Sequence, residues 1–458
     1  MLLLGGASES SKRGLGDFQE MPQVESAAPF CKWAASVDCA ERIPWFLETA
    51  ARAAFSGQPG PVYLDLPSEI LCAEVEASVA QHLPSFPETP RPQADPAQVE
   101  RAAQRIARAE RPLLILGKGA AWSDAGDAAR SLAEHFELLF LPSPMGKGVI
   151  SDDHPLCVGA ARSTALRNAD LIIMAGARFN WTFHFGLPPR VAEGVDVIHI
   201  EIAPEEIGRN IPTELGLLGD VRAVFEQLAL AGGEHSPSPA RATWLEALRQ
   251  VCQKNEEALA PLIHSDAPFT NFYRLFHEVN EVVGKDTIFV NDGEHTMAIS
   301  RTMQAMHTPR KRLDAGTSGC MGVGVPYAIG AQIARPQQRV VCMNGDYAVG
   351  WNVMELETAV RHELPILFIV ANNGTIRPGA TPFDNHAFTP EQGVRYDQLM
   401  QSVGGYGENV QSSAELRPAL ERALASGKAA LLNVAIDPHA KRKPQEFAWL
   451  DREGKSNY

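Results

Sequence analysis

The chain has 458 residues, 45% hydrophobic and 21% charged, which is the balance of a soluble globular protein long enough for two or three separately cored domains. Its formal net charge of -14 excludes general binding to nucleic acid or to an anionic membrane, because a phosphate backbone needs a basic face; a few local cations can still hold a phosphorylated small ligand. Seven scattered cysteines without a Cys-x-x-Cys pair indicate a reduced, cytoplasmic protein, and no apolar run reaches the length of a membrane span.

Taken in order, Met1-Leu2-Leu3-Leu4-Gly5-Gly6 reads as a buried parallel strand ending in a loop, and residues 62–67 read as a second, with a helix over 43–55 between them. Two strands and one or two helices make a thin domain, so residues 1–75 are expected to be the C-terminal part of a larger α/β domain. Prolines 84, 87, 90 and 92 mark a linker over 76–96. Helical periodicity over 99–109 and strands expected at 112–116, 138–141, 171–174 and 195–202 then alternate as in a doubly wound domain spanning 97–232. A second linker with a bridging helix over 244–259 occupies 233–268. The last domain, 269–458, carries strands expected at 287–290, 340–343, 366–371 and 430–436.

Polar groups cluster where these strands end. Asn344-Gly345-Asp346-Tyr347-Ala348 follows one apolar strand, and Asn372-Asn373-Gly374-Thr375 follows the next, with helical character over 353–361 between them. An Asp carboxylate and an Asn carbonyl 27 positions later can give Mg²⁺ two hard oxygens, leaving its other positions to phosphate oxygens and water. The glycine-rich stretch from Gly316 to Gly324 enters a helix expected over 326–333; alone it reads as a turn or close helix packing. Asn291-Asp292-Gly293-Glu294-His295 lies between a strand and a helix, where backbone amides can face an anion, and His295 reads equally as structural or as a donor. Lys118 and Arg178 each stand beside small residues at strand ends, a setting that lets backbone and charge approach phosphate together. Phe18-Gln19-Glu20 reads by default as a polar surface turn. The stretch from Lys441 to Leu450 reads as a basic, aromatic-containing tail that closes over a ligand or is solvated.

Gly-Asp, a spacer of this length and Asn-Asn together resemble the diphosphate and metal motif of thiamine diphosphate enzymes. The three-domain order resembles the pyruvate-decarboxylase-like members, with pyrimidine-binding, central and diphosphate-binding domains, over essentially the whole chain. Leu141-Pro142-Ser143-Pro144-Met145-Gly146-Lys147-Gly148, Cys157 to Ser163 and His184 to Arg190 resemble the 2-hydroxyacyl-CoA lyases, within the superfamily that also holds oxalyl-CoA decarboxylases and acetolactate synthases. The implied fold is α/β, three doubly wound parallel-sheet domains with the first incomplete. The implied cofactors are thiamine diphosphate and Mg²⁺, with ADP as a further activator. Asp346, Asn373 and the Thr375 carbonyl are implied as metal ligands; His295, Tyr347 and Ala348 as contacts of the diphosphate; Gly319 and Met321 as supports of the bent cofactor. Lys118, Arg178, Glu201 and Asp220 match positions that bind the ADP portion of CoA, or ADP itself, and Phe18 and Gln19 match the pair facing the reacting carbon. That pair favours the lyases, since the decarboxylases tend to carry Tyr-Glu.

The implied reaction cleaves a 2-hydroxyacyl-CoA to an aldehyde or ketone plus formyl-CoA, in a homodimer or homotetramer. Oxalyl-CoA decarboxylase is the alternative enzyme, and a truncated, catalytically silent cofactor-binding protein the alternative of another kind. The chain departs from the pattern in three places. Tyr347 stands where relatives have a small residue, Ile376-Arg377-Pro378 stands where both CoA-dependent groups usually have Tyr, and the glutamate that activates the aminopyrimidine belongs to a region preceding the equivalent of Met1.

Overall fold

A computed structural model describes residues 1–81, 89–233, 238–375 and 393–443, together with the backbone of 451–452 and 455–456. Residues 82–88 and 234–237 of the expected linkers, Ile376-Arg377-Pro378 and residues 444–450 of the expected tail lie outside the described residues. Backbone contacts divide the chain into two units, Met1–Pro92 and Gln93–Tyr458.

The first unit holds three parallel strands, β1 (Leu2–Ala7), β2 (Trp33–Ser36) and β3 (Val62–Pro67), in the order β1-β3-β2. The helix Ile43–Phe55 starts with Pro44 in its first turn, where a missing N–H costs nothing, and buries Phe46, Ala50 and Ala54 at four-residue spacing. These pack with Val62 and Leu64 of β3, and Trp33 stacks on Phe46 with ring centroids 6.1 Å apart. Two expectations change here. A third strand, β2, is present; its Ala-Ala-Ser sequence has little β preference and gave no periodic signal. The leucines of β1, expected to be buried, are 40–50% exposed, in a strand at the sheet's edge that pairs with β3.

The second unit contains two parallel sheets. The first has β4 (Pro112–Leu116), β5 (Leu139–Pro142), β6 (Leu171–Ala175), β7 (Asp196–Glu201) and β8 (Leu215–Leu218), ordered β5-β4-β6-β7-β8. β4 and β6 are buried at every position, as strands covered on both faces must be. The helix Pro96–Arg108, capped by Asp95 accepting from the Gln98 amide, buries Val99, Ala102, Ala103 and Ile106 against this sheet. The bridging helix runs from Pro239 to Glu257, starting earlier than the expected 244 because Ser238 caps it and Pro239 opens it. Its Arg241 is buried and donates to the carbonyls of Ile106, Ala109 and Phe136, so that one guanidinium serves the C-terminal ends of two helices, Pro96–Arg108 and Gly126–His135.

The other sheet has β9 (Ile288–Asp292), β10 (Arg312–Asp314), β11 (Val340–Gly345), β12 (Leu367–Asn372), β13 (Tyr406–Val410) and β14 (Ala430–Ala435), ordered β10-β9-β11-β12-β14-β13. Side chains alternate between two cores. Phe289, Val341, Met343 and Ile369 face the helices Phe272–Val283 and Ser413–Ala425. Val290, Cys342, Phe368 and Val370 face the helices Gly324–Ala334 and Glu355–Arg361. The two sheets of this unit meet along a polar seam. Lys147 pairs with Asp152 at 2.8 Å and donates to the Arg301 carbonyl, while Asp152 exchanges backbone and side-chain hydrogen bonds with Met306.

Candidate cofactor site

In each sheet of the second unit the strand order reverses beside its first strand, between β4 and β6 and between β9 and β11. Open α/β sheets bind ligands in the crevice at such a point, outside the strands' carboxyl ends. At the first reversal, Lys118 follows β4 and Arg178 follows β6, and the amide of Gly119 donates to the carbonyl of Gly176 at 2.9 Å. Glu201 ends β7 and Asp220 follows β8, so all four expected nucleotide-side residues stand at the carboxyl ends of adjacent strands. Their side chains are differently committed. Arg178 pairs with Glu206 at 3.1 Å, and Asp220 caps the helix Val221–Ala231 through the Arg222 and Ala223 amides. Glu201 is buried and accepts from the Ile202 and Ala203 amides; burial pushes its carboxyl above the usual range. Lys118 is exposed at the start of its helix.

The second reversal carries the richer chemistry. Asp346 opens the short helix Asp346–Gly350 directly after β11 and is buried. Its Oδ1 accepts from the Tyr347 amide at 2.7 Å and its Oδ2 from the Gly374 amide at 2.8 Å, which joins the segment after β11 to the segment after β12. Asn373 and Thr375 are buried beside it in sequence, Ala348 is buried, and Tyr396 donates its hydroxyl to the Asp346 carbonyl at 3.1 Å. Burial pushes the Asp346 carboxyl up to about 6, and the backbone amides of Tyr347, Gly374 and Asn373 oppose the rise. A desolvated carboxylate of this kind is suited to a cation. Among the described residues no three His, Cys, Asp or Glu side chains gather, so a metal here would rely on one carboxylate and neutral oxygens, a set that fits Mg²⁺ sharing its shell with phosphate and water.

His295 lies on the first turn of the helix Glu294–Met303, next to that reversal. Its Nδ1 contacts the Glu294 carboxylate at 2.5 Å and its ring stacks on Phe272, with centroids 5.4 Å apart. Glu294 had no assigned role in the sequence, yet its carboxylate also lies 3.5 Å from Arg442. The glycine-rich stretch is a turn whose crown, 317–321, is exposed, including Met321 at 37% and Gly319 with φ 61°. Its foot is fastened: Gly316 donates to Asp314, and Trp181 Nε1 donates to the Thr317 carbonyl at 2.8 Å. Asp292 and Asn352, also unassigned in the sequence, bond to the same turn at Gly322.

Phe18 and Gln19 belong to the other unit, in the loop between β1 and β2. Phe18 is 81% exposed and Gln19 has left-handed backbone, φ 57°. The following Glu20 shapes this loop, its carboxylate accepting from the amides of Gly14, Gly16 and Asp17.

The stretches containing Arg162 and His184 come together over one face of the first sheet, where Ala161, Ala165 and Phe183 pack with Ile115, Leu141 and Met174. Arg162 donates to the Thr182 carbonyl and lies over the Phe183 ring at 4.6 Å. Burial, with Arg301 and Arg190 near it, lowers the Arg162 guanidinium to about 10. Burial, then Arg162 and Arg190, depress the His184 imidazole to about 4, so it is neutral at physiological pH.

Two doubly wound sheets in one unit, each with polar groups gathered at its reversal point, define a ligand-binding α/β protein of the nucleotide and cofactor class. Residues 99–228 match the family "Thiamine pyrophosphate enzyme, central domain" and residues 292–434 match "Thiamine pyrophosphate enzyme, C-terminal TPP binding domain". The chain is 39% identical over 472 residues to 2-hydroxyacyl-CoA lyase 1 from Homo sapiens, spanning 99% of this chain and 82% of that protein. It is 40% identical over 474 residues to 2-hydroxyacyl-CoA lyase 1 from Mus musculus, spanning 99% and 81%. It is 36% identical over 451 residues to oxalyl-CoA decarboxylase from Escherichia coli (strain K12), spanning 96% and 79%. The chain therefore belongs to the thiamine pyrophosphate enzyme family, in the branch of the 2-hydroxyacyl-CoA lyases and oxalyl-CoA decarboxylases.

Proposed function

We propose that the protein is a thiamine diphosphate- and Mg²⁺-dependent carbon-carbon lyase that cleaves a 2-hydroxyacyl-CoA to an aldehyde or ketone and formyl-CoA. The observation that carries the cofactor half of this reading is the buried Asp346 carboxylate directly after β11, held by the Gly374 amide from the segment after β12. The substrate half rests on the likeness to 2-hydroxyacyl-CoA lyase 1, which spans 99% of this chain and 82% of that protein.

In this reading Asp346, Asn373 and the Thr375 carbonyl hold the metal, and His295 with the backbone of Tyr347 and Ala348 holds the diphosphate. Gly319 and Met321 support the aminopyrimidine side. When bound, thiamine diphosphate supplies a nucleophilic carbon that lets the bond between a carbonyl carbon and its neighbour break. In the net reaction the bond between the thioester carbon and the carbinol carbon breaks, the hydroxyl proton leaves as the carbonyl forms, and a proton is gained by the carbon that becomes formyl, so atoms balance without an added reactant. Phe18 and Gln19 are the pair this reading assigns to that carbon, an apolar ring to exclude water and an amide to hold the hydroxyl. Lys118 and Arg178 supply positive charge for the phosphates of an adenine nucleotide, either the CoA end of the substrate or ADP as activator. Glu201 accepts from a ribose hydroxyl, and Asp220 shapes the far wall of that site by capping the helix behind it.

We divide the chain into a pyrimidine-side portion (1–75), a central nucleotide domain (97–232) and a diphosphate domain (269–458), joined through 76–96 and 233–268. A homodimer or homotetramer, as is usual where a cofactor is shared between such domains, and a cytoplasmic setting complete the reading; seven free thiols are compatible with the latter. No helix among the described residues is long and apolar enough to cross a membrane.

The test is formyl-CoA formation by the purified chain with thiamine diphosphate and Mg²⁺, offered a 2-hydroxyacyl-CoA and oxalyl-CoA in parallel. Preference for the 2-hydroxyacyl-CoA is expected. Preference for oxalyl-CoA would install the second reading, a decarboxylase, to which the chain has the lower identity of 36% against 39% for the lyase.

A further inference from the structure

We infer that Asp292 and Asn352 are positioning residues which clamp the peptide units around Gly322 and thereby set the distance between the Met321 side of the cofactor site and the Asp346 side. Asp292 is the last residue of β9 and is 1% exposed. Its Oδ2 accepts from the amides of Gly322 at 2.9 Å and Gly324 at 2.7 Å, while its Oδ1 has no hydrogen-bond partner among the described residues. The bonds this carboxylate makes are thus directed to the turn. Asn352 follows the helix that Asp346 opens, and its Nδ2 donates to the Gly322 carbonyl at 2.5 Å. Gly322 is therefore gripped at both its N–H and its C=O, from two different elements, and cannot rotate without breaking one of the bonds.

The residue types are dictated by this packing. Gly322 has φ 91°, and a Cβ there would stand 2.7 Å from the Trp351 Cβ. A Cβ on Gly324 would stand 2.3 Å from Asn344 Oδ1 and 2.8 Å from the Asp292 Cβ, so the turn approaches the sheet as closely as backbone permits. Met321 is chained to Gly322, and Asn352 stands six residues beyond Asp346 in the segment that Asp346 begins. The clamp is a bonded route between the two halves of the site. A ligand touching both ends is held at full strength only while that route is rigid, because pre-organised contacts need no ordering when the ligand arrives.

The inference rests on the cofactor reading above, and the experiment separates the two. Asn352→Ala and Asp292→Asn are made in the full chain; Asn352 is exposed, so its variant folds even if the buried Asp292→Asn does not. Hydrogen exchange in the cofactor-free protein is expected to accelerate by about tenfold at Gly322 and Gly324, while the helix Phe272–Val283 keeps its protection. Titration calorimetry is expected to show thiamine diphosphate with Mg²⁺ binding about tenfold more weakly to the variants, and pyrophosphate with Mg²⁺, which reaches only the Asp346 side, binding as to the parent. Unchanged exchange at the two glycines overturns the clamp. Equal loss for both ligands also overturns it, since the residues would then only sustain the Asp346 side. A parent chain that binds neither ligand overturns the cofactor reading itself, and the clamp's role with it.

Discussion

Asp346 and Gly374 are bonded carboxylate to amide at 2.8 Å across the carboxyl edge of the sheet, which makes one charged side chain the hinge-pin of two strand ends. Asp346→Asn keeps the volume and one acceptor oxygen but removes the charge. Binding of thiamine diphosphate in the presence of Mg²⁺ is expected to weaken by at least about 100-fold by calorimetry. The cofactor-free variant is expected to be as stable as the parent or more so, because a desolvated charge without a cation has been removed. Undiminished binding would take Asp346 out of the metal site.

Gly324→Ala places a methyl group against Asn344 and Asp292, and neither neighbour is the loose end of a flexible side chain. We expect a loss of about 1–3 kcal/mol in urea unfolding. A stability within error of the parent would mean that the turn relaxes away from the sheet at no cost.

Arg178→Ala leaves Glu206 with Arg209, also at 3.1 Å, so the fold keeps an ion pair there while the sheet edge loses a cation. ADP affinity is expected to fall about tenfold, and the gap to the parent to narrow as salt is raised. Equal ADP binding by parent and variant would remove Arg178 from the nucleotide site.

His184 supplies a pH dependence with a definite sign. Its folded-state value, about 4, lies below the ordinary imidazole value of 6.5, so between these the unfolded chain binds more protons than the folded one. Stability associated with this group is complete above pH 6.5 and is lost as pH falls towards 4. His184→Asn suits the left-handed backbone at φ 53° and removes the titration. The parent is expected to lose about 1 kcal/mol more than the variant between pH 7 and pH 5, a figure reduced for partial solvent exposure. Parallel losses in chemical unfolding at the two pH values would show that the imidazole does not contribute.

What could be read from the sequence followed the strength of the local signal. Residues 112–116 and the helix over 43–55 were legible because an unbroken apolar run and a four-residue apolar period leave little else to form. β10 was not, since Arg312-Leu313-Asp314 reads as polar; Arg312 and Asp314 are buried because they pair with each other at 2.6 Å and because Ser300, Met297 and the Gly316 amide complete their hydrogen bonds. β13, Tyr-Gly-Glu-Asn-Val, is a half-buried edge strand with too few apolar residues to announce itself. The acid-and-amide spacing around Asp346 and Asn373 could be seen because both lie immediately after strong strands. Asp292 and Asn352 could not be given roles, as each acts on backbone groups about thirty residues away, and a backbone partner leaves no mark in the side-chain pattern.

Trp181 stands three residues after Arg178, and its indole holds the carbonyl of Thr317. The loop that carries Arg178 and the turn that carries Met321 therefore share a bond and do not move as independent parts. Stiffness gained at one is stiffness gained at the other, and the purse-string between them is a single N–H that a phenylalanine at position 181 would lack.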